Sequence, residues 1–188
     1  MPLISEDLTD TELVARVRAG DRDAYGLLVR RHAPVAHRTA VLLGAGADAE
    51  DVVQEALVKA YRSLGGFRAD APFRPWLLRI VANEARNAHR TASRRVGREV
   101  LAARTGGDPE IDRAADPATH AVSSARRDQL HAALLRLSEP DRLVLTCRYL
   151  LELDEGETST VLGWPRGTVK SRLSRAMRRL RTEVGDDA

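Results

Sequence analysis

The 188-residue sequence contains a single cysteine, Cys147, so no disulfide can form within the chain. This suits a reducing compartment, and the apolar run around Cys147 predicts a core residue rather than a nucleophile. Five histidines are scattered without metal-ligand spacing, and there is no glycine-rich phosphate loop and no nucleophile elbow. We therefore expect no metal, no cofactor and no enzymatic activity.

Long apolar runs are absent, and the N-terminus lacks a basic segment followed by an apolar stretch. We therefore predict no membrane insertion, no signal peptide and a cytoplasmic location. Aromatic residues make up only 4% of the chain, so aliphatic side chains must fill the core. Runs of β-branched residues are also missing, while apolar residues repeat at helical spacing. This combination predicts an all-α fold.

The formal net charge of +3 is unevenly distributed along the chain. Residues 1–95 carry +3, residues 96–122 carry −2 and residues 123–188 carry +2. The middle stretch contains Gly-Gly and Asp-Pro pairs and has poor periodicity, which is typical of an extended linker. The sequence thus predicts two small helical domains, at 1–95 and 123–188, joined by a flexible linker at 96–122.

The strongest pattern lies near the C-terminus, where Gly163 can end one helix and Trp164-Pro165 can open the next. Apolar residues then recur at helical spacing, and residues 158–181 include seven basic side chains and no acidic one. A short helix, a tight turn and a basic amphipathic helix predict a helix-turn-helix whose second helix enters the major groove. The candidate DNA-binding residues on it are Arg166, Thr168, Lys170, Ser171, Arg172, Arg175, Arg178 and Arg179.

Two polar faces stand out in the N-terminal half. The first lies on a helix predicted over residues 48–64, opposite a wide apolar stripe. For charge alone, an ordinary solvated face is the more common explanation of such a pattern. The second lies on a helix predicted from Trp76 to about Arg95 and combines asparagines with arginines, which pair with base edges and phosphates. The first face comprises Asp51, Gln54, Glu55, Lys59 and Arg62, and the second comprises Arg79, Asn83, Arg86, Asn87 and Arg90. Trp76, at the start of the same helix, can face inward and is added to the candidate DNA-binding set.

A loop rich in glycine and proline at residues 65–75 joins these two predicted helices and holds both phenylalanines of the chain. The two rings, Phe67 and Phe73, either cap the core or line a pocket for a planar group such as a base. With Arg68 and Asp70 from the same loop, they extend the candidate nucleic-acid-binding set.

Three segments together resemble the extracytoplasmic-function (ECF) sigma factors of the sigma-70 family. DAEDVVQEALVKAYRSL is similar to the family's core-polymerase-binding helix, and APFRPWLLRIVANEARNAHR to its segment that reads and melts the minus-10 element. LSEPDRLVLTCRYL and VLGWPRGTVKSRLSRAMRRLR are similar to its minus-35-reading domain. The resemblance implies an RNA polymerase sigma factor, a promoter-specificity subunit without catalysis of its own.

The resemblance also assigns a role to each candidate face. The polar face over residues 48–64 would dock on the clamp helices of the largest subunit of core RNA polymerase. The loop and the Trp76 helix would hold promoter DNA at minus-10, with a flipped base in a pocket formed by residues 67–73. The C-terminal domain would bind the polymerase flap and minus-35 DNA, and the linker would pass near the active-site channel. Members of the family are often held silent by an anti-sigma protein, which adds a candidate partner.

One alternative from a different class is a stand-alone helix-turn-helix transcriptional regulator with an unrelated N-terminal sensor domain. It would need a ligand pocket or a dimerisation helix within residues 1–95, and it would bind duplex DNA without polymerase. A sigma factor would bind little DNA specifically by itself.

Overall fold

The computed structural model describes residues 8–68, 70–102, 133–134 and 136–185, and all regular elements among them are helical. This confirms the predicted all-α class. Among the same residues, no helix combines the length and the apolar character that crossing a bilayer requires. The α-helices are α1 (Asp10–Arg18), α2 (Arg22–Ala40), α3 (Ala49–Ser63), α4 (Phe73–Ala102), α5 (Glu139–Leu145), α6 (Glu155–Leu162) and α7 (Arg166–Gly185).

The first two helices start at side-chain caps. At α1 the Thr9 hydroxyl accepts from the Glu12 N–H, and the Glu12 carboxylate accepts from the Thr9 N–H at 2.8 Å, which forms a capping box. Asp21 caps α2 through the backbone N–H groups of Asp23 and Ala24. Pro34, a residue type that can kink or divide a helix, lies inside α2 without dividing it in two.

The connection between α2 and α3 bends sharply through a wide π turn, Val41–Ala45, and a short 3-10 turn, Gly46–Asp48. Gly44 and Gly46 have φ angles of 95° and 55°, a region that strains residues with a side chain. Two glycines within three residues predict a break in the helix at Gly44-Ala45-Gly46, and the structure confirms it. This break lets α3 fold back against α2.

The N-terminal core forms where α2, α3 and α4 pack against one another. As the low aromatic content predicts, most of its fully buried large side chains are aliphatic, such as Leu28, Leu77 and Val81. The apolar stripe predicted for α3 is largely correct, because Val52, Val53, Ala56 and Ala60 are buried. Helical spacing also predicts Tyr61 in that stripe, but this side chain is 42% exposed, with its ring centroid 4.9 Å from that of Tyr25.

Helix α4 is longer at both ends than the sequence predicts. It begins at Phe73, because Pro75 falls in the first turn, where backbone N–H groups have no partner within the helix. It continues to Ala102, so residues 96–102, which were assigned to the extended linker, are helical. The rest of that linker lies outside the described residues. So do most of residues 123–137, where the spacing of Leu130, Ala133, Leu134 and Leu137 predicts a further helix.

The C-terminal domain packs α5 and α6 against α7. Residues 152–162 have low helix propensity because Gly156, Thr158, Ser159 and Thr160 disfavour a helix interior. The helix α6 forms there with a cap at each end. Asp154 and Glu157 form a capping box, with Asp154 accepting from the Glu157 N–H at 2.7 Å, and Gly163 closes the helix in the left-handed conformation.

A buried hydroxyl lies in the middle of α6. Thr158 is fully buried, and among the described residues its Oγ1 has no hydrogen-bond partner. Cys147 is also fully buried, as predicted, and burial raises the pKa of its thiol to about 12. Both side chains therefore act as packing groups.

Replacing Thr158 by valine should stabilise the C-terminal domain by about 1 kcal/mol, because an isosteric methyl removes an unsatisfied buried hydroxyl. Urea denaturation followed by Trp164 fluorescence measures this in a chain carrying Trp76→Phe, since the sequence has two tryptophans. Thr160→Val is the control, because that exposed hydroxyl donates to the Gly156 carbonyl at 3.1 Å. An unchanged or lower unfolding midpoint for Thr158→Val would show that the hydroxyl is satisfied.

Candidate nucleic-acid interface

Helix α7 carries the clearest candidate DNA-reading surface. It begins after Pro165, whose carbonyl accepts from the N–H groups of Thr168 and Val169. Val169 and Ala176 are fully buried against the domain, which confirms the predicted apolar stripe. Most of the candidate DNA-binding residues on this helix are exposed, namely Arg166, Lys170, Ser171, Arg175, Arg178 and Arg179. The other two, Thr168 and Arg172, are half-buried.

Two of these arginines are held by a buried carboxylate. Arg172 Nη1 lies 3.2 Å from Asp141 Oδ1, and Arg179 Nη1 donates to Asp141 Oδ2. Burial alone would raise the pKa of Asp141, but hydrogen bonds from Ser138 and Arg179 and the charge of Arg179 outweigh burial and hold that pKa below its usual value. The structure therefore places Arg172 and Arg179 in an ion-pair cluster. Asp141 did not stand out in the sequence.

The polar face of α4 presents four exposed side chains, Arg79, Asn83, Asn87 and Arg90, and the half-buried Arg86. Each asparagine is paired with an arginine one turn later. Arg86 Nη2 donates to Asn83 Oδ1 at 2.7 Å, and Arg90 Nη2 donates to Asn87 Oδ1 at 2.8 Å. With the carbonyl oxygens occupied, both asparagines present their NH₂ groups as hydrogen-bond donors.

The aromatic loop before α4 is packed inward. Phe67 and Phe73 are both buried, with ring centroids 4.8 and 5.5 Å from Trp76. Of the two roles left open for these rings, the structure shows the core cap. Arg68 and Asp70 form an exposed ion pair at 2.7 Å beside them.

Arg18, at the end of α1, holds the start of this loop, and no pattern in the sequence indicates this role. Its guanidinium donates to the carbonyls of Leu64 at 3.0 Å and Gly65 at 3.4 Å, and also to the carbonyl of Phe67. These bonds fix the backbone from which the aromatic loop departs.

The predicted polymerase-binding face of α3 is exposed along its whole length, at Asp51, Gln54, Glu55, Lys59 and Arg62. Lys59 is the member with the closest contacts, since its Nζ lies 2.7 Å from Glu84 of α4 and 3.4 Å from Glu55. Val58, 43% exposed, adds an apolar group to this side of the helix that the sequence interpretation did not include.

Comparison with known proteins assigns two segments of the chain to one family. Residues 28–95 match the model for Sigma-70 region 2, and residues 127–180 match that for Sigma-70, region 4. Over 190 residues the chain is 35% identical to the ECF RNA polymerase sigma-E factor of Escherichia coli (strain K12), covering 96% of this chain and 97% of that one. The chain belongs to the ECF sigma factors of the sigma-70 family. It is therefore an RNA polymerase sigma factor, which directs the core enzyme to promoters and helps to open them, and the stand-alone regulator is set aside.

Other relatives agree with this assignment. The sigma-E factor of Haemophilus influenzae is 32% identical over 96% of this chain and 98% of its own length. Among solved structures, CnrH in complex with the cytosolic domain of CnrY has a TM-score of 0.69 at 27% identity, covering 95% of this chain and 99% of that chain. The Bartonella quintana sigma factor RpoE, solved with the anti-sigma factor NepR, shares the fold with a TM-score of 0.62 at 24% identity, covering 87% and 98%.

In this sigma factor the two regions contact each other. Helix α6 packs against α4, and Arg74 Nη2 donates to the Leu151 carbonyl at 3.1 Å. A side chain at Gly163, in the helix-turn-helix turn, would come within 3.8 Å of Arg79. Arg86 is partly covered, and this burial, followed by the charge of Arg90, lowers the pKa of its guanidinium. The polar face of α4 therefore lies beside the helix-turn-helix.

Proposed function

We propose that the two regions of this ECF sigma factor divide promoter recognition between the polar face of α4 and helix α7. The observation that carries the proposal is that each region presents its own exposed arginine-containing face, with amides on α4 and hydroxyls on α7. These groups suit base edges, while the arginines suit phosphates. The factor would act in the cytoplasm. This reducing compartment suits a chain whose single cysteine cannot form an internal disulfide.

On α4, the asparagines are the candidates for selecting minus-10 bases. Opening the promoter requires at least one base to leave the stack, which costs a few kcal/mol, and a protein offsets this cost by holding the extruded base. Because the Phe67 and Phe73 rings are buried, the base would meet the loop backbone together with Arg68 and Asp70. The NH₂ groups of Asn83 and Asn87 would donate to base acceptors.

For the polymerase, we propose that the exposed face of α3 docks on the clamp helices of the largest subunit and that the C-terminal domain meets the flap. Asp51, Gln54 and Glu55 form an acidic and polar stretch at the start of this face, and Arg62 lies near its end. The four side chains are exposed, so the core of the domain does not require them.

Binding to polymerase would have to separate the two regions. Elements at minus-35 and minus-10 are roughly 25 base pairs apart, about 85 Å of duplex at 3.4 Å per pair. The helix-turn-helix turn lies beside the polar face of α4, so this arrangement cannot reach both elements. A protein that binds both regions together would hold the factor silent, and an anti-sigma partner is the proposed candidate. CnrH, a structural relative, was solved with the cytosolic domain of another protein.

The first prediction from this proposal is that the free factor binds promoter duplex no better than non-specific DNA, with a Kd of roughly 10⁻⁴ to 10⁻⁶ M at physiological salt. With core polymerase, the same duplex should form a specific complex. Gel-shift assays with and without polymerase measure this, and a duplex with both elements scrambled is the control. Specific binding by the free chain would contradict the requirement for polymerase.

The second prediction concerns the polymerase-binding face. Asp51→Lys, Gln54→Ala and Glu55→Lys should each weaken core binding several-fold in a pull-down, while the free energy of unfolding changes by no more than about 0.5 kcal/mol, since these side chains are exposed. Arg38→Glu, an exposed charge reversal on α2, serves as the control. If all three variants bound the core normally, this face would be an ordinary solvated surface.

The third prediction concerns Asn83 and Arg86. Asn83→Ala should change which minus-10 bases are accepted, because it removes the donor. Arg86→Ala should lower opening at all promoters and also loosen the base preference, since Arg86 orients Asn83. Permanganate footprinting on a minus-10 library measures both effects. The double variant should be less impaired than the sum of the single ones, and strict additivity would refute the coupling.

A further inference from the structure

Asp141 lies in the first turn of α5, and its side chain is only 2% exposed. A buried carboxylate is costly unless both oxygens are satisfied. Here each oxygen faces a different arginine of α7, Arg172 at Oδ1 and Arg179 at Oδ2. These arginines are seven residues apart, which places them two turns apart on the same side of the helix. One carboxylate therefore joins two points along α7 to α5.

Arg172 is further constrained on its other sides. Its guanidinium carbon lies 5.4 Å from the centroid of the Trp164 ring, a cation–π contact with the turn before α7. Its Nε is buried without a hydrogen-bond partner among the described residues, and the side chain is only 29% exposed. An arginine enclosed in this way is not free to make the bidentate contact by which arginine recognises guanine.

The rotation of α7 follows from these contacts. With about 100° between successive residues, Arg172 and Arg179 flank the buried stripe that contains Val169 and Ala176. The next sector of the helix carries residues at positions i, i+3, i+7 and i+10 from Thr168. These are Thr168, Ser171, Arg175 and Arg178, of which the last three are exposed.

We propose that Asp141 is a positioning residue for minus-35 recognition: by holding Arg172 and Arg179 against α5, it sets the rotation of α7 that turns Thr168, Ser171, Arg175 and Arg178 toward DNA. Arg172 is then a structural contact rather than a base reader. This inference rests on the proposed role of α7 in minus-35 reading. The cluster also limits non-specific attraction, because the Asp141 carboxylate offsets one of the two positive charges that it contacts on α7.

A reader and a positioning residue should fail in different ways. Removing a residue that contacts a base abolishes the base preference at that base pair and leaves the preference at the other minus-35 positions unchanged. Removing the positioning residue shifts the whole helix, so the preference should flatten at all minus-35 positions together. It also frees two arginines, so binding to non-specific DNA should increase. A merely structural defect would lower specific and non-specific binding alike.

The test uses the factor assembled with core polymerase and a promoter library that varies each minus-35 base pair in turn. Asp141→Asn and Arg172→Ala should both reduce discrimination roughly 10-fold across all positions, about the value of one mismatched base pair. Arg175→Ala should reduce it at one or two adjacent positions only. Glu139→Gln is the matched control, because it removes an exposed acid from the same helical turn and should leave the minus-35 preference unchanged.

A second variant covers the case in which Asp141→Asn unfolds the domain. Asp141→Leu with Arg172→Met and Arg179→Met removes the whole ion-pair cluster and leaves no unpaired buried charge, a replacement that proteins often tolerate. Circular dichroism should show it folded, with opening from minus-10-dependent promoters within about two-fold of the parent, and with flattened minus-35 preference.

Two results would overturn the proposal: unchanged minus-35 preference in the folded triple variant, or loss of preference at a single position in Arg172→Ala. A third would remove the basis of both proposals. If Arg175→Ala and Arg178→Ala also left every minus-35 preference unchanged, α7 would not be the reading helix. The reader variants therefore separate failure of the proposed function from failure of the positioning role.

Discussion

The burial of one side of α4 is the interaction on which the rest of this structure depends. Leu77, Leu78, Val81, Ala82 and Ala85 are all fully buried and join α4 to α2 and α3. Because these residues fix the rotation of the helix, its opposite side has to carry the arginine and asparagine face. The same helix contacts α6 of the C-terminal domain, so a single element sets both the N-terminal core and the relation between the two regions.

Periodicity and local chemistry predicted most of the fold. The apolar stripes of α3 and α7, the glycine that ends α6 and the buried cysteine all follow from patterns within a few residues of one another. The start of α4 at Phe73 did not follow, because proline reads as a helix breaker although the first helical turn tolerates it. Tyr61 was misplaced because helical spacing cannot distinguish the edge of a buried stripe from its centre.

The candidate sites were harder to predict than the fold, since pairing across long sequence separations is invisible in a linear pattern. On α7 the arginines look equivalent in the sequence, yet Asp141, more than thirty residues earlier, engages Arg172 and Arg179. Likewise, Arg18 reaches the carbonyls of a loop far along the chain. The positive charge of a helix therefore predicts that the helix binds an anion. Which of its arginines remain available for that anion depends on tertiary contacts.

The contact between α6 and α4 has a consequence for the abundance of the factor. A free copy in this arrangement covers part of the polar face of α4 with its own C-terminal domain. If that face meets minus-10 DNA as proposed, the free copy would leave promoters vacant for other proteins. Surplus molecules that hold no polymerase would then not compete for promoter sites. The cell could accumulate such a factor ahead of need without having its idle copies act as repressors of the genes they serve.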